Sequence, residues 1–128
     1  MKTIIQTKDA AAPIGPYNQA IRINGFLYTS GQIAIDPKTG ETLFGSIEEE
    51  TTRVMKSLEA ILKEANMDFS DVIKTSIFIS DMNDFASINN IYGAFFDEKS
   101  APARETVQVA RLPKDANVEI SLIAYKNQ

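Results

Sequence analysis

The chain has 128 residues, 44% of them hydrophobic and 23% charged, a formal net charge of −4, and neither cysteine nor histidine. That length suits one globular domain with a real core and is too short for two. The missing residue types exclude disulfides, a thiol nucleophile, thiolate or imidazole metal sites and a histidine general base, which leaves chemistry to carboxylates, Arg, Lys, Tyr, hydroxyls and main-chain groups.

The acidic balance, without any long run of like charge, weighs against nucleic acid as a partner. No apolar stretch approaches the ~18 residues of a membrane span, and residues 1–7 lack the apolar segment of a signal peptide, so a cytoplasmic protein without membrane contact is expected. Acidic residues are not spaced as in a cation-binding loop, and the six glycines are scattered rather than gathered into a phosphate loop. Neither a metal nor another cofactor is therefore expected.

In chain order, residues 3–6 are β-prone, and the segment Ala11-Ala12-Pro13-Ile14-Gly15-Pro16-Tyr17 is a stiff, irregular loop. Residues 20–23 and 26–30 flank Asn24-Gly25, a pair suited to the positive φ angles of a type I′ turn, which predicts a β-hairpin. Pro37-Lys38-Thr39-Gly40 makes the next turn. Ser46 and Glu49 have capping-box spacing, and Val54, Leu58, Ile61 and Ala65, with Met55 and Leu62, form one apolar stripe of a helix over residues 48–65. A β-branched strand follows at residues 72–79. Asp81 or Asn83 is a candidate cap for a second helix carrying Phe85, Ile88, Tyr92 and Phe95. Residues 105–110 and 118–125 complete the strands, separated by the turn Arg111-Leu112-Pro113-Lys114-Asp115.

Strands interleaved with two helices imply an α+β fold of two layers, a mixed sheet with both helices on one face, because crossovers of one hand return to the same side. Two helices cannot cover the other face, whose strands still carry apolar residues. Association with further copies is the expected cover.

Four segments, Ile14-Gly15-Pro16-Tyr17, Thr29-Ser30-Gly31-Gln32, Pro37-Lys38-Thr39-Gly40 and Pro102-Ala103-Arg104 with the run Val109-Ala110-Arg111-Leu112-Pro113-Lys114-Asp115, occur in an order that spans nearly the whole chain and closes with Val118-Glu119-Ile120. Together they resemble the RidA (YjgF/YER057c/UK114) family. The resemblance implies a chorismate-mutase-like homotrimer with a central barrel and inter-subunit clefts. It also implies hydrolysis of 2-iminobutanoate and 2-iminopropanoate to 2-keto acids and ammonia, so that small 2-imino and 2-keto acids would be the ligands.

Arg104 has a planar fork able to hold a carboxylate by two charge-assisted bonds; by residue type alone an Arg at a strand edge is more often a solvated or structural cation, and the family motif reverses that weighting and implies a catalytic residue and substrate anchor. Glu119 is out of step with Val118, Ile120 and Leu122, so it projects from the opposite sheet face, where a carboxylate can orient water or form an inter-subunit ion pair. Burial would raise its pKa and a nearby Arg104 would lower it. Tyr17, Ser30, Gly31, Asn89 and Thr106 are the further substrate-binding candidates. Tyr17 would close the pocket, Ser30 and Gly31 would bring a hydroxyl and main chain to the ligand, and Asn89 would offer its amide. The chain departs from the family at Glu105-Thr106, where Ser-Cys is usual. Thr106 keeps the main-chain contact and loses the thiol, and Glu105 is expected to turn away from Arg104. The alternative function is a non-catalytic ligand-sensing or partner-binding protein. A ribonuclease is disfavoured by the acidic balance and the absence of His.

Overall fold

A computed structural model describes residues 1–127. Six strands, β1 (Thr3–Ile5), β2 (Ala20–Ile23), β3 (Phe26–Thr29), β4 (Val72–Ile79), β5 (Ala103–Gln108) and β6 (Val118–Tyr125), and two helices, α1 (Ile47–Glu64) and α2 (Phe85–Gly93), follow one another as β1-β2-β3-α1-β4-α2-β5-β6. The strands form one sheet in the order β1-β2-β3-β6-β4-β5. Every neighbouring pair is antiparallel except β4 and β5, which α2 joins as a crossover between parallel strands.

Local chemistry accounts for the hairpin and for α1. Asn24 (φ 50°) and Gly25 (φ 84°) make the type I′ turn between β2 and β3. Gly25 is required twice over, because a Cβ there would lie 2.9 Å from the Tyr125 ring and 3.0 Å from the Lys126 carbonyl. At the start of α1 the Glu49 amide donates to Ser46 Oγ at 3.0 Å, and the Ser46 amide donates to Glu49 Oε1 at 3.1 Å, the reciprocal capping box. The Ser46 amide, and after it the Ser46 side chain, hold the Glu49 carboxyl below its ordinary pKa. The expected stripe of α1 is buried throughout.

Burial alternates residue by residue along β6 and, after a register shift between Val72 and Lys74, along the rest of β4. Thr75, Ile77, Ile79, Val118, Ile120, Leu122 and Ala124 lie under the helices, while Ser76, Phe78, Glu119, Ser121 and Ile123 are half-buried on the other face. Tyr92 of α2 reaches Thr75 of β4, and the stripe of α1 joins the same core, so both helices cover one face. The uncovered face carries Tyr28 and Tyr125, 45% and 38% exposed, around Phe26. No helix among the described residues is long and apolar enough to cross a membrane.

Several expected boundaries move, and α2 ends at Gly93, so Phe95, expected on that helix, follows it. Asp81 caps a short 3-10 turn, Met82–Asp84, by accepting the Asn83 amide, and α2 begins after it without a side-chain cap. β5 begins at Ala103 rather than at residue 105, because parallel pairing with β4 starts at Lys74 opposite Ala103. It ends at Gln108, where β4 runs out. The turn after it coils into Pro113–Asp115, with Lys114 and Asp115 at φ 56° and 58°.

Candidate functional site

A cavity of about 520 Å³ opens beside the N-terminal loop, with Tyr17, Gln19, Gly31 and Glu119 among its lining residues and Lys38 and Lys114 in its wall. A wider groove of about 1270 Å³ runs along α1 past Arg53, Lys56 and Lys63, and none of the proposed site residues lines it.

Glu119 sits opposite Phe78 in the β4–β6 register, on the face that the helices leave open. Burial pushes its carboxyl above the ordinary glutamate pKa. No salt bridge to it forms among the described residues. The next residue, Ile120, exchanges two main-chain bonds with Gln32, at 2.8 and 3.1 Å, which brings Gly31 under the Glu119 side chain. A Cβ on Gly31 would stand 2.7 Å from Glu119 Cδ and 2.9 Å from Cγ, closer than any side chain tolerates. Glycine is therefore the residue that lets this carboxylate lie flat on the strand.

The loop carrying Tyr17 is tied down by Gln19, which is buried. Its Oε1 accepts the Thr7 amide at 2.8 Å, and its Nε2 donates to the carbonyls of Thr7, Ala10 and Ala11. Ser30 belongs to the same brace. Its hydroxyl donates to the Asn18 carbonyl at 2.6 Å and its amide to the Gln19 carbonyl at 2.9 Å. The hydroxyl proton expected to meet a ligand's carboxylate is thus already committed, and Ser30 shapes the Tyr17 loop instead.

Arg104 lies elsewhere. It projects from β5 onto the helix-bearing face, where its guanidinium donates to Asn89 Oδ1 and stands 5.6 Å from the Phe85 ring centre and 5.1 Å from that of Tyr92. Phe85, Asn89 and Tyr92 recur at i, i+4 and i+7 and so share one face of α2. The Tyr92 hydroxyl shares a 2.7 Å hydrogen bond with Thr75 Oγ1. Its pKa is raised by burial, an effect opposed by the Thr75 bond and by Arg104. Asn89 therefore orients the fork with its carbonyl oxygen rather than waiting for a ligand with both ends of its amide.

Thr106, two residues on, shares the Arg104 side of the strand, and its Oγ1 is buried without a hydrogen-bond partner. β5 is an edge strand, and the Val109 amide donates inward to Ile79 at 2.9 Å. By alternation the main-chain groups of residues 105 and 107 also face β4, whereas those of Arg104, Thr106 and Gln108 face the open edge. Glu105 turns to the other face as expected. It accepts from Ser76 Oγ at 3.0 Å and pairs with Lys74 at 3.3 Å. The Ser76 bond, then Lys74, holds its carboxyl below the ordinary value.

The residues named from sequence thus form two clusters, Tyr17, Gly31 and Glu119 with Ser30 behind them, and Arg104, Asn89 and Thr106. They occupy opposite faces of one sheet. The expectation that Arg104 offsets the charge of Glu119 fails within a single chain, because side chains of opposite phase on β5 and β6 point to opposite faces. Phe85 and Tyr92 are read from sequence only as residues carried by the second helix, although their spacing with Asn89 is visible there.

The architecture defines a class, the two-layer α+β fold of the Rid proteins. A crystal structure of E. coli TdcF with bound serine matches it with a TM-score of 0.91 and 42% identity, covering 98% of this chain and 99% of that one. The Endoribonuclease L-PSP family matches residues 7–126. A RutC family protein, slr0709, of Synechocystis is 55% identical over 94% of each chain. The 2-iminobutanoate/2-iminopropanoate deaminase of mouse is 44% identical, over 98% of this chain and 93% of its own. The chain belongs to this family, the RidA family to which its sequence segments point.

Proposed function

We propose that this protein is a 2-iminobutanoate/2-iminopropanoate deaminase whose active site forms between subunits of a homotrimer. One observation carries the proposal: each sheet face holds half of a hydrolytic site, a preorientated guanidinium fork on one and a half-buried, unpaired carboxylate on the other. Two different surfaces that need one another make a heterologous contact, and a heterologous contact that closes gives a ring. The half-exposed Tyr28 and Tyr125 on the open face would be covered by the same association.

In that cleft the substrate carboxylate lies against the Arg104 fork and the outward amide of Thr106. Glu119 of the neighbouring subunit orients a water onto C2 of the imine and takes its proton as the C–O bond forms. The imine, attacked in its N-protonated form, becomes a neutral carbinolamine; Glu119 passes the water's proton to its nitrogen, the C–N bond breaks as the hydroxyl proton returns to Glu119, and ammonia leaves with the 2-keto acid. Tyr17 covers the bound acid. Nothing in this sequence needs an imidazole, because the anchor, the water and the proton carrier are all supplied. The deaminase name of the mouse relative and the bound serine of TdcF accord with a small amino-acid-derived ligand.

The test follows the decay of 2-iminopropanoate, generated in place by a serine dehydratase, with no protein, with this protein and with Arg104→Ala. Acceleration that is lost in the variant is the expected result. No acceleration by the folded protein favours a ligand-sensing role for the same cleft.

A further inference from the structure

Glu50, in the first turn of α1, is fully buried, yet its partners are neutral. Its Oε2 accepts the Asn117 amide and its Oε1 accepts the Asn117 side-chain Nδ2, both at 2.8 Å. Asn117 is held from the far side as well. Its carbonyl accepts the Ser80 amide at 3.1 Å and its Oδ1 accepts the Ser80 hydroxyl at 3.2 Å. A buried carboxylate is costly unless its geometry is satisfied, and both oxygens here grip one residue, fixing main chain and side chain together. That residue lies two positions before Glu119. On the other side of Glu119, Ile120 is locked to Gln32 by its pair of main-chain bonds.

We propose that Glu50 is a positioning residue for Glu119: with Asn117 and Ser80 it forms one of two clamps between which the start of β6 is stretched, so that the carboxylate lands over Gly31. The inference rests on the deaminase proposal and names a residue outside the site that sets the site's geometry. The clamp works through direction as well as charge. Gln in place of Glu50 keeps one acceptor for the Asn117 amide but turns an NH2 donor toward the NH2 donor of Asn117. Asp in place of Asn117 restores that contact with donor and acceptor exchanged, and still accepts from Ser80.

The experiment compares wild type, Glu50→Gln, Glu50→Gln/Asn117→Asp and Ser80→Ala by imine turnover and by carbon-13 NMR titration of the Glu119 carboxyl, at a temperature where all are folded. Displacement of Glu119 by about an ångström is expected to lower kcat about tenfold or more in Glu50→Gln, with KM within about twofold. Read in the Arg104→Ala background, where no neighbouring guanidinium opposes burial, the Glu119 titration should move down toward an ordinary glutamate as the carboxyl leaves its half-buried seat, where Tyr17, Asp36, Lys38 and Lys114 are the other titratable groups lining the cavity. The double variant should recover both. A folded Glu50→Gln with unchanged kcat and an unchanged Glu119 titration overturns the proposal, as does a lowered kcat that the double variant leaves unrestored. Where Glu50→Gln does not fold, Ser80→Ala decides: a smaller fall in kcat and a Glu119 shift of the same sign support the clamp, and the absence of both overturns it. Wild type without turnover sinks the deaminase reading alone, because the titration still reads the clamp.

Discussion

The Tyr92 and Thr75 hydroxyls lie 2.7 Å apart in the buried layer between α2 and β4. Beside that bond the Tyr92 ring faces the Arg104 guanidinium, so the contact that docks the helix also builds one wall of the anchor. Tyr92→Phe leaves the buried Thr75 hydroxyl without this partner and should cost about 1–3 kcal/mol in denaturant unfolding. Adding Thr75→Val removes the stranded group, and the double variant should recover most of that loss. Additive losses would show that the bond is not what holds α2.

Gly31→Ala forces the Glu119 side chain off its seat, since the new methyl would stand 2.7 Å from Cδ. A loss of about 1–3 kcal/mol is expected from the overlap, with kcat down at least about tenfold. Stability, but not turnover, should return when Glu119→Ala is added, which separates the steric effect from the catalytic one.

Burial alone raises Glu119 in the isolated protomer, so the folded state binds its proton more tightly than the unfolded chain. Stability is then lost as pH rises from the usual carboxylate range through the raised folded value. In the Arg104→Ala background, thermal melting should fall across that window relative to Arg104→Ala/Glu119→Gln, and the two should converge below it. With Arg104 present, the guanidinium of the neighbouring subunit should draw the same carboxyl down, so the acid limb of kcat/KM lies lower in the wild type than in any residual activity of Arg104→Ala.

Arg104→Ala and Glu119→Gln each remove a different half of the site. Random mixing of the two inactive proteins as trimers should restore about a quarter of the clefts, because each cleft takes its Arg from one subunit and its Glu from the next. Recovery of turnover on subunit exchange is the expected result. A mixture as inactive as its components would place both groups in one chain and contradict the split geometry.

The orphaned hydroxyl of Thr106 is a liability rather than a contact if the main-chain amide does the binding. Thr106→Val should be at least as stable as wild type, because a buried hydroxyl without a partner costs about 1–3 kcal/mol, and should keep KM within about twofold. A KM raised tenfold would assign the hydroxyl to the ligand.

Much of this architecture was legible because the signals are local. Asn24-Gly25 dictates its turn, Ser46 and Glu49 mark the start of α1, and strict alternation marks β6 and places Glu119 on the open face. The second helix was harder to bound, since a capping aspartate looks the same in front of a 3-10 turn as in front of an α-helix. The start of β5 depends on where β4 begins, a pairing that its own residues do not encode. Of the candidate site, the motif segments name candidate residues but do not carry their grouping, because two strands of opposite phase part Arg104 from Glu119. Glu50 left a trace: it lies four residues before Val54, on the apolar stripe of α1. An acidic residue in a first helical turn is ordinarily explained by the helix dipole, and that explanation conceals its burial.

The edge position of β5 carries a consequence for hydrogen exchange. Only alternate amides of this strand are held by β4, those of residues 105, 107 and 109, while the amides of Arg104, Thr106 and Gln108 are turned outward. Native-state exchange along a single strand should therefore be striped, slow and fast residue by residue, rather than graded from end to end. A carboxylate seated on the Thr106 amide would erase one fast stripe and leave its neighbours untouched, which makes that amide a direct reporter of occupancy even for a ligand that is never turned over.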